Sequence, residues 1–153
     1  MTELLIQEGI QDVLQAMSEF ADADVVINDW GVLDQNTTAA PYTIISNADT
    51  FKSRQDVQTA ETDWEIPVTL CEAFSDWPTT LNNLRTRRQA IVDSFNAVGS
   101  ARSANGQTAT TVDELRSGGP ITPYYGPYIR GEELAEAMPQ FLTQTILFVV
   151  REY

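Results

Sequence analysis

The residues closest to a catalytic arrangement are three acids, Asp22, Asp24 and Asp29, set around the short segment Ala23–Asn28. Asp22 and Asp24 share a parity, so an extended backbone can present both on one side. Paired carboxylates can divide acid and base work, as they do in hydrolases. Nothing else in the sequence joins these acids: there is no motif and no nearby cation to hold a phosphate. A second group, Glu132, Glu133 and Glu136, lies at the start and middle of an expected short helix, where acids cap and solubilise. The chain has no histidine and one cysteine. That excludes serine–histidine and cysteine–histidine machinery, an internal disulfide and a Cys/His zinc site. Cys71 reads as a small core or strand residue. The glycines of GSARSANG (99–106) have no phosphate-loop lysine and do not follow a strand, so they carry no nucleotide signal. The expectation is a chain with no catalytic, cofactor-binding or metal-binding residues, with a small carboxylate-based hydrolase as the enzymatic alternative.

Charge is the next constraint. The net charge is −13, and it is uneven: residues 1–63 hold twelve acids and two bases, whereas residues 64–101 hold four acids and three arginines. Tight binding to a phosphate backbone needs basic surface, which is missing here. A repulsive wall is still compatible with a duplex that slides past without sticking; plain solubility is the simpler reading of the same charge. Arg85, Arg87 and Arg88 form the one basic cluster. At helical spacing Arg85 and Arg88 share a side and Arg87 points elsewhere. The pair reads either as a solvated helix face or as a contact for the acid-rich first third of another copy. Tyr124, Tyr125 and Tyr128, among prolines, make the densest aromatic patch. Tyrosine suits half-buried contact surfaces, and packing within the monomer competes equally. Arg85, Arg88, Tyr124, Tyr125 and Tyr128 are therefore the candidate subunit-interface residues.

These groups must be positioned by a modest set of elements. The 153 residues, 42% hydrophobic, fit one domain with a sizeable core. No apolar run reaches membrane-spanning length, and the acidic start lacks a signal-peptide pattern, so synthesis in the cytoplasm is expected. The organising stretch is 64–98. Trp64, Ile66, Val68 and Leu70 alternate as one strand face, and Pro67 argues for an edge or bulge rather than a fully paired central strand. Ser75 or Asp76 caps a long helix, with Pro78 in its first turn. Leu81, Leu84, Arg88, Ile91, Val92, Phe95 and Val98 make its stripe, the arginines staying wet, and Gly99 stops it.

Upstream, residues 3–20 read as a helix with a stripe of Leu4 or Ile6, Ile10, Val13, Leu14 and Met17. Gly9 costs roughly 1 kcal/mol there relative to alanine. Phe20 tucks under its end. Strands are expected at 23–28 and 42–46, with 57–62 either a short strand or loop. Trp30 and Trp77 sit beside turns and cap the ends of the core. Downstream, 99–119 reads as a long flexible loop with one helical turn at Val112–Arg116. A strand broken by prolines follows at 121–129, then a short helix at 132–138. The closing strand is 141–151, apolar on both faces toward its end and therefore central or covered by another subunit. The fold class is α+β: a small mixed or antiparallel sheet of four to five strands, two main helices on one face, and a short third helix.

The helix LIQEGIQDVLQAM, the strand WEIPVTLCEAF feeding SDWPTTLNNLRTRRQAIVDSF, and the closing strand TQTILFVVREY together resemble the tail terminator (tail-completion) proteins, minor tail proteins of long-tailed bacteriophages. The resemblance covers about residues 3–153 and rests on element order and texture rather than a signature motif. It implies a structural subunit, not an enzyme, with no cofactor. It further implies a homo-oligomeric ring, a hexamer in that family, that caps the finished tail tube. The partners implied are the tail tube protein and the head–tail connector protein, with DNA passing through unbound and no membrane involved. The location implied is the virion, after synthesis in the host cytoplasm. Another neck, connector or tail tube protein is the neighbouring alternative, and a monomeric regulatory or substrate-binding domain is a further class.

Overall fold

In the computed structural model the described residues are 3–21, 24–30, 41–48, 50–55, 60–95, 110–116, 119–125 and 139–152. The elements run α1 (Glu3–Gln15), a 3-10 turn (Ser18–Phe20), β1 (Asp24–Ile27), β2 (Tyr42–Ile45), β3 (Thr50–Gln55), β4 (Ala60–Ala73), α2 (Trp77–Phe95), β5 (Thr110–Arg116), β6 (Thr122–Tyr124) and β7 (Phe141–Glu152). This is the expected α+β class, and the sheet is mixed. Its order is β1-β2-β4-β7-β5, with β3 also on β4 and β6 also on β7. β1 and β2 are parallel, and the other pairs are antiparallel.

The sheet is built on two long strands. β4 and β7 pair from Thr62↔Glu152 to Ala73↔Phe141 without a break. Each long strand then carries two short ones end to end on its far side. β4 carries β2 along Val68–Cys71 and β3 along Ala60–Glu65. β7 carries β6 along Phe141–Thr143 and β5 along Leu147–Glu152. Among the described residues seven strands therefore stand where four to five were expected. Two of the additions, β3 and β5, lie in stretches with little apolar alternation. The helical turn expected at Val112–Arg116 is strand β5 instead, bulged between Val112 and Glu114 against β7. Long-range pairing there outweighs the weak local preference of TTVDELR. Residues 60–62 extend β4. The rest of the expected 99–119 loop up to residue 109, and the expected helix at 132–138, lie outside the described residues.

Pro67 is the instructive departure. It is buried in a central strand, not at an edge. Its carbonyl accepts the Ser46 N–H at 2.9 Å, so its nitrogen also points toward the β2/β3 side. That position falls between the end of β2, opposite Val68, and the start of β3, opposite Glu65. The missing donor faces a gap between two partner strands, and the ladder to β7 loses nothing.

Both helices cover one face. Ile6, Ile10 and Leu14 of α1 and Leu84, Ile91 and Phe95 of α2 join Ile66, Val68, Leu70, Ile146, Phe148 and Val150 in one core cluster. Burying each such side chain contributes roughly 1.5–3 kcal/mol. Leu4 and Leu5, by contrast, are exposed, which settles the α1 stripe on Ile6. Phe20 is buried as expected, and Gly9 is buried too. Trp30 and Trp77 are about half exposed and do not cap the core; Trp77 meets Phe74 edge-on at 5.3 Å. Asp76 caps α2, its Oδ1 accepting the Thr79 N–H at 2.9 Å, while Thr80 Oγ1 accepts the Ser75 N–H at 3.1 Å.

A second row on α1 is polar. Glu3, Gln7 and Gln11 recur every four residues, so they line one flank. Glu3 accepts the Ala48 N–H at 2.5 Å, Gln7 donates to the Ser46 carbonyl at 2.9 Å, and Gln11 donates to the Val25 carbonyl at 2.8 Å. The N–H groups of Asp24 and Asn28 point into β2, so the Val25 carbonyl faces the open edge, and Gln11 blunts that edge.

α2 is pinned by charge. Glu72 shares the helix-facing parity of Ile66, Val68 and Leu70, and its carboxylate receives Arg87 Nε in a buried ion pair. Arg87 also donates to the Glu19 carbonyl and lies 5.7 Å from the centre of the Phe20 ring. The expectation that the arginines stay wet is corrected here, because Arg87 occupies the core stripe between Leu84 and Ile91. Arg87→Met or Glu72→Met alone should each cost about 3–5 kcal/mol by leaving one charge buried without its partner. The double variant should be more stable than either single one. Urea unfolding checks this, and single-variant losses below about 1 kcal/mol would place the pair effectively in solvent.

Candidate assembly surface

The candidate interface residues occupy two separate places. Arg85 and Arg88 lie on α2, on the flank away from α1. Arg87 marks the near flank by reaching the 3-10 turn after α1. Arg88, one step round the helix, marks the far flank: its Nη1 donates to Gln144 Oε1 of β7 at 3.0 Å. Gln144 in turn donates to the Gly119 carbonyl at 3.0 Å. Arg88 is half-buried and engaged within the monomer. Arg85, further out on the same flank, is exposed.

Tyr124 belongs to the opposite face of the sheet. There a second, smaller cluster joins Tyr42, Ile44, Cys71 and Phe141, with Val26, Ala73 and Tyr124 against it. Phe141 sits between two tyrosines, its ring centre 5.9 Å from Tyr42 and 6.3 Å from Tyr124. Tyr124 thus packs within the monomer, and Tyr125 beside it is half-buried. Tyr128 lies outside the described residues. Further along this face the Thr69 and Thr145 hydroxyls meet at 2.9 Å, and Arg116 pairs with Glu65 at 3.5 Å. The arrangement brings Arg85 and Arg88 together and sets Tyr124 apart from them.

No catalytic arrangement emerges among the described residues. Asp24 and Asp29 are exposed, and Asp22 lies outside the described set. No group of three or more His, Cys, Asp or Glu side chains is placed to hold a metal ion among the described residues. A shallow cavity of about 110 Å³ is lined by Glu19, Asn83, Thr86 and Arg87. Its cation is already committed to Glu72 and the Glu19 carbonyl. No described helix is long and apolar enough to cross a membrane.

Arg87, expected to stay wet, is instead buried, and its partner Glu72 is not singled out by the sequence reading. The signal was present: Leu84, Arg87 and Ile91 follow three-four spacing, and Glu72 continues the parity of the apolar strand face. Only the charges argued against burial.

No protein-family model and no curated protein matches this chain. Among solved structures, one chain whose name states no function is similar across 100% of this chain and 96% of its own. The identity is 14% and the TM-score 0.48, too remote to bear on function.

Cys71 gives this surface a measurable titration. Burial, and then the negative charge of Glu72, push its thiol from 9.0 up to about 12. The thiol stays protonated in the folded chain, while the unfolded chain releases its proton above about pH 9. Stability from this group is therefore full below pH 9 and declines as pH rises toward 12. Cys71→Ala should flatten the fall in unfolding free energy between pH 8.5 and 10.5 by up to about 1 kcal/mol per pH unit. Urea unfolding of both proteins across that range checks it, and parallel pH profiles would show that the thiol titrates normally.

Proposed function

We propose that this chain is a structural virion subunit. It assembles into a ring, a hexamer on the pattern of the family it resembles, that terminates the tail tube of a long-tailed bacteriophage. The ring offers the surface to which the head joins, and DNA passes through it. The observation that carries this reading is the association of the segments on which the resemblance rests. Trp64–Ala73 of the first quoted strand and Thr143–Glu152 of the closing one lie in β4 and β7, the long central pair, and both quoted helices pack on one side of them. The pieces on which the resemblance rests thus pack around one core and are not scattered features.

Charge supports the same role. A chain at −13 repels the phosphate backbone and lets a duplex move without capture. The partners under this reading are other copies, the tail tube protein and the head–tail connector protein. The subunit is made in the host cytoplasm, ends in the virion, and performs no chemistry.

The deciding experiment is the mass of the assembly in solution together with its outline by electron microscopy, alone and with tail tube protein. A closed ring with a duplex-wide hole is expected, and virions assembled without the subunit should have tails of irregular length and unjoined heads. Normal tails and normal joining in its absence would overturn the role.

A further inference from the structure

The helix layer has two unlike flanks. α1 lies over β1 and β2, and α2 over β4, β7 and β5, so the two helices sit toward opposite margins of the same sheet face. On α1, the row Glu3, Gln7, Gln11 faces the turn after β2 and the β1 edge, and Leu4 and Glu8 lie next to it on the outer flank. Both are exposed, and Leu4 is 52% accessible. On α2, the flank turned away from α1 carries Leu81, Arg85, Arg88 and Val92, spaced four, three and four residues apart. Leu81, Arg88 and Val92 are half-buried, and Arg85 is exposed without an ion pair to a described residue.

We infer that these flanks meet between neighbouring copies: the acidic, leucine-bearing flank of α1 docks on the basic, apolar flank of α2 of the next subunit. Charge complementarity selects a second copy as the occupant. The first 63 residues carry twelve acids against two bases, whereas α2 exposes Arg85, the member of the one basic cluster left over once Arg87 is buried on Glu72 and Arg88 is engaged with Gln144. The contact pairs Glu8 with Arg85 and, one turn away on each helix, sets Leu4 against Leu81. It uses different surfaces on the two partners, so it is head-to-tail and propagates until it closes as a ring. What the contact builds rests on the ring reading above; where the contact lies rests on the flanks themselves.

The test is sedimentation of the full chain at low salt over a concentration series reaching millimolar, with charge-swapped variants. Glu8→Arg and Arg85→Glu should each weaken self-association at least ~10-fold, and the double variant E8R/R85E should recover most of that loss. Both side chains are exposed, so thermal melting should be unchanged. Glu8→Arg also makes the chain less negative, which by net charge alone would strengthen association, and Asp93→Arg on the outer face of α2 supplies that control. Wild-type assembly that is indifferent to both single changes, or a double variant no better than the singles, overturns the seam and leaves the ring reading standing. A wild-type chain that stops at a dimer overturns head-to-tail propagation. One that stays monomeric at every concentration overturns the seam as a contact strong enough to build the ring, and the ring itself is then decided by assembly with tail tube protein present.

Discussion

The unbroken pairing of β4 with β7 is the constraint on which the rest of the structure depends. Twelve successive residues on each strand face one another, and each strand still has a second backbone edge to satisfy. The chain satisfies those edges in halves, with β2 and β3 in line along β4 and β6 and β5 in line along β7. Short strands in line leave a gap between them, and Pro67 stands at one such gap. A residue that lacks a donor is tolerated in the middle of the longest strand because the neighbouring chain changes partners there.

Helix placement follows from two kinds of contact. Apolar burial brings both helices to one face but resists sliding only weakly, since it is non-directional. Directional bonds supply the registration. On α1 these are Glu3, Gln7 and Gln11, each tied to backbone of the strands or the turn that follows β2. On α2 the anchor is Arg87, held by Glu72 from the sheet and by the Glu19 carbonyl from the turn after α1. One guanidinium therefore links the sheet, α2 and the end of the α1 unit. A buried ion pair adds little net stability over an apolar pair of similar size. Its effect here is to make other helix registers expensive, because each leaves a charge buried alone.

Much of this was legible in the sequence. The class, both main helices, the cap at Asp76, and the strands at 24–27, 42–45 and 141–152 follow from periodicity and punctuation. What was not legible depends on partners distant in the chain. β3 and β5 have little apolar pattern of their own and become strands because β4 and β7 present long open edges. Pro67 misled because its local rule holds only when the neighbouring strand is continuous. Of the candidate surface, Arg85 was readable as exposed. The tie from Arg88 to Gln144 was not, because it joins residues 56 apart. Tyr124 could have served contact or core equally, and only its position beside Phe141 decides for packing within the monomer.

A net charge of −13 raises a difficulty for any self-assembling subunit, because copies repel at long range. The repulsion is directional as well as general. With acids concentrated in the first third, two copies that approach α1 to α1 bring like charge together, and a two-fold arrangement through that surface is disfavoured. The approach that meets least like charge is the one that sets the first third of one copy against the near-balanced α2 region of another. The same excess that keeps free subunits apart thus narrows the orientations in which they can join. Under the proposed ring it would also leave the assembled surface acidic, and so repellent to a passing duplex. One charge distribution would then serve solubility before assembly, polarity during it and free passage of DNA afterwards.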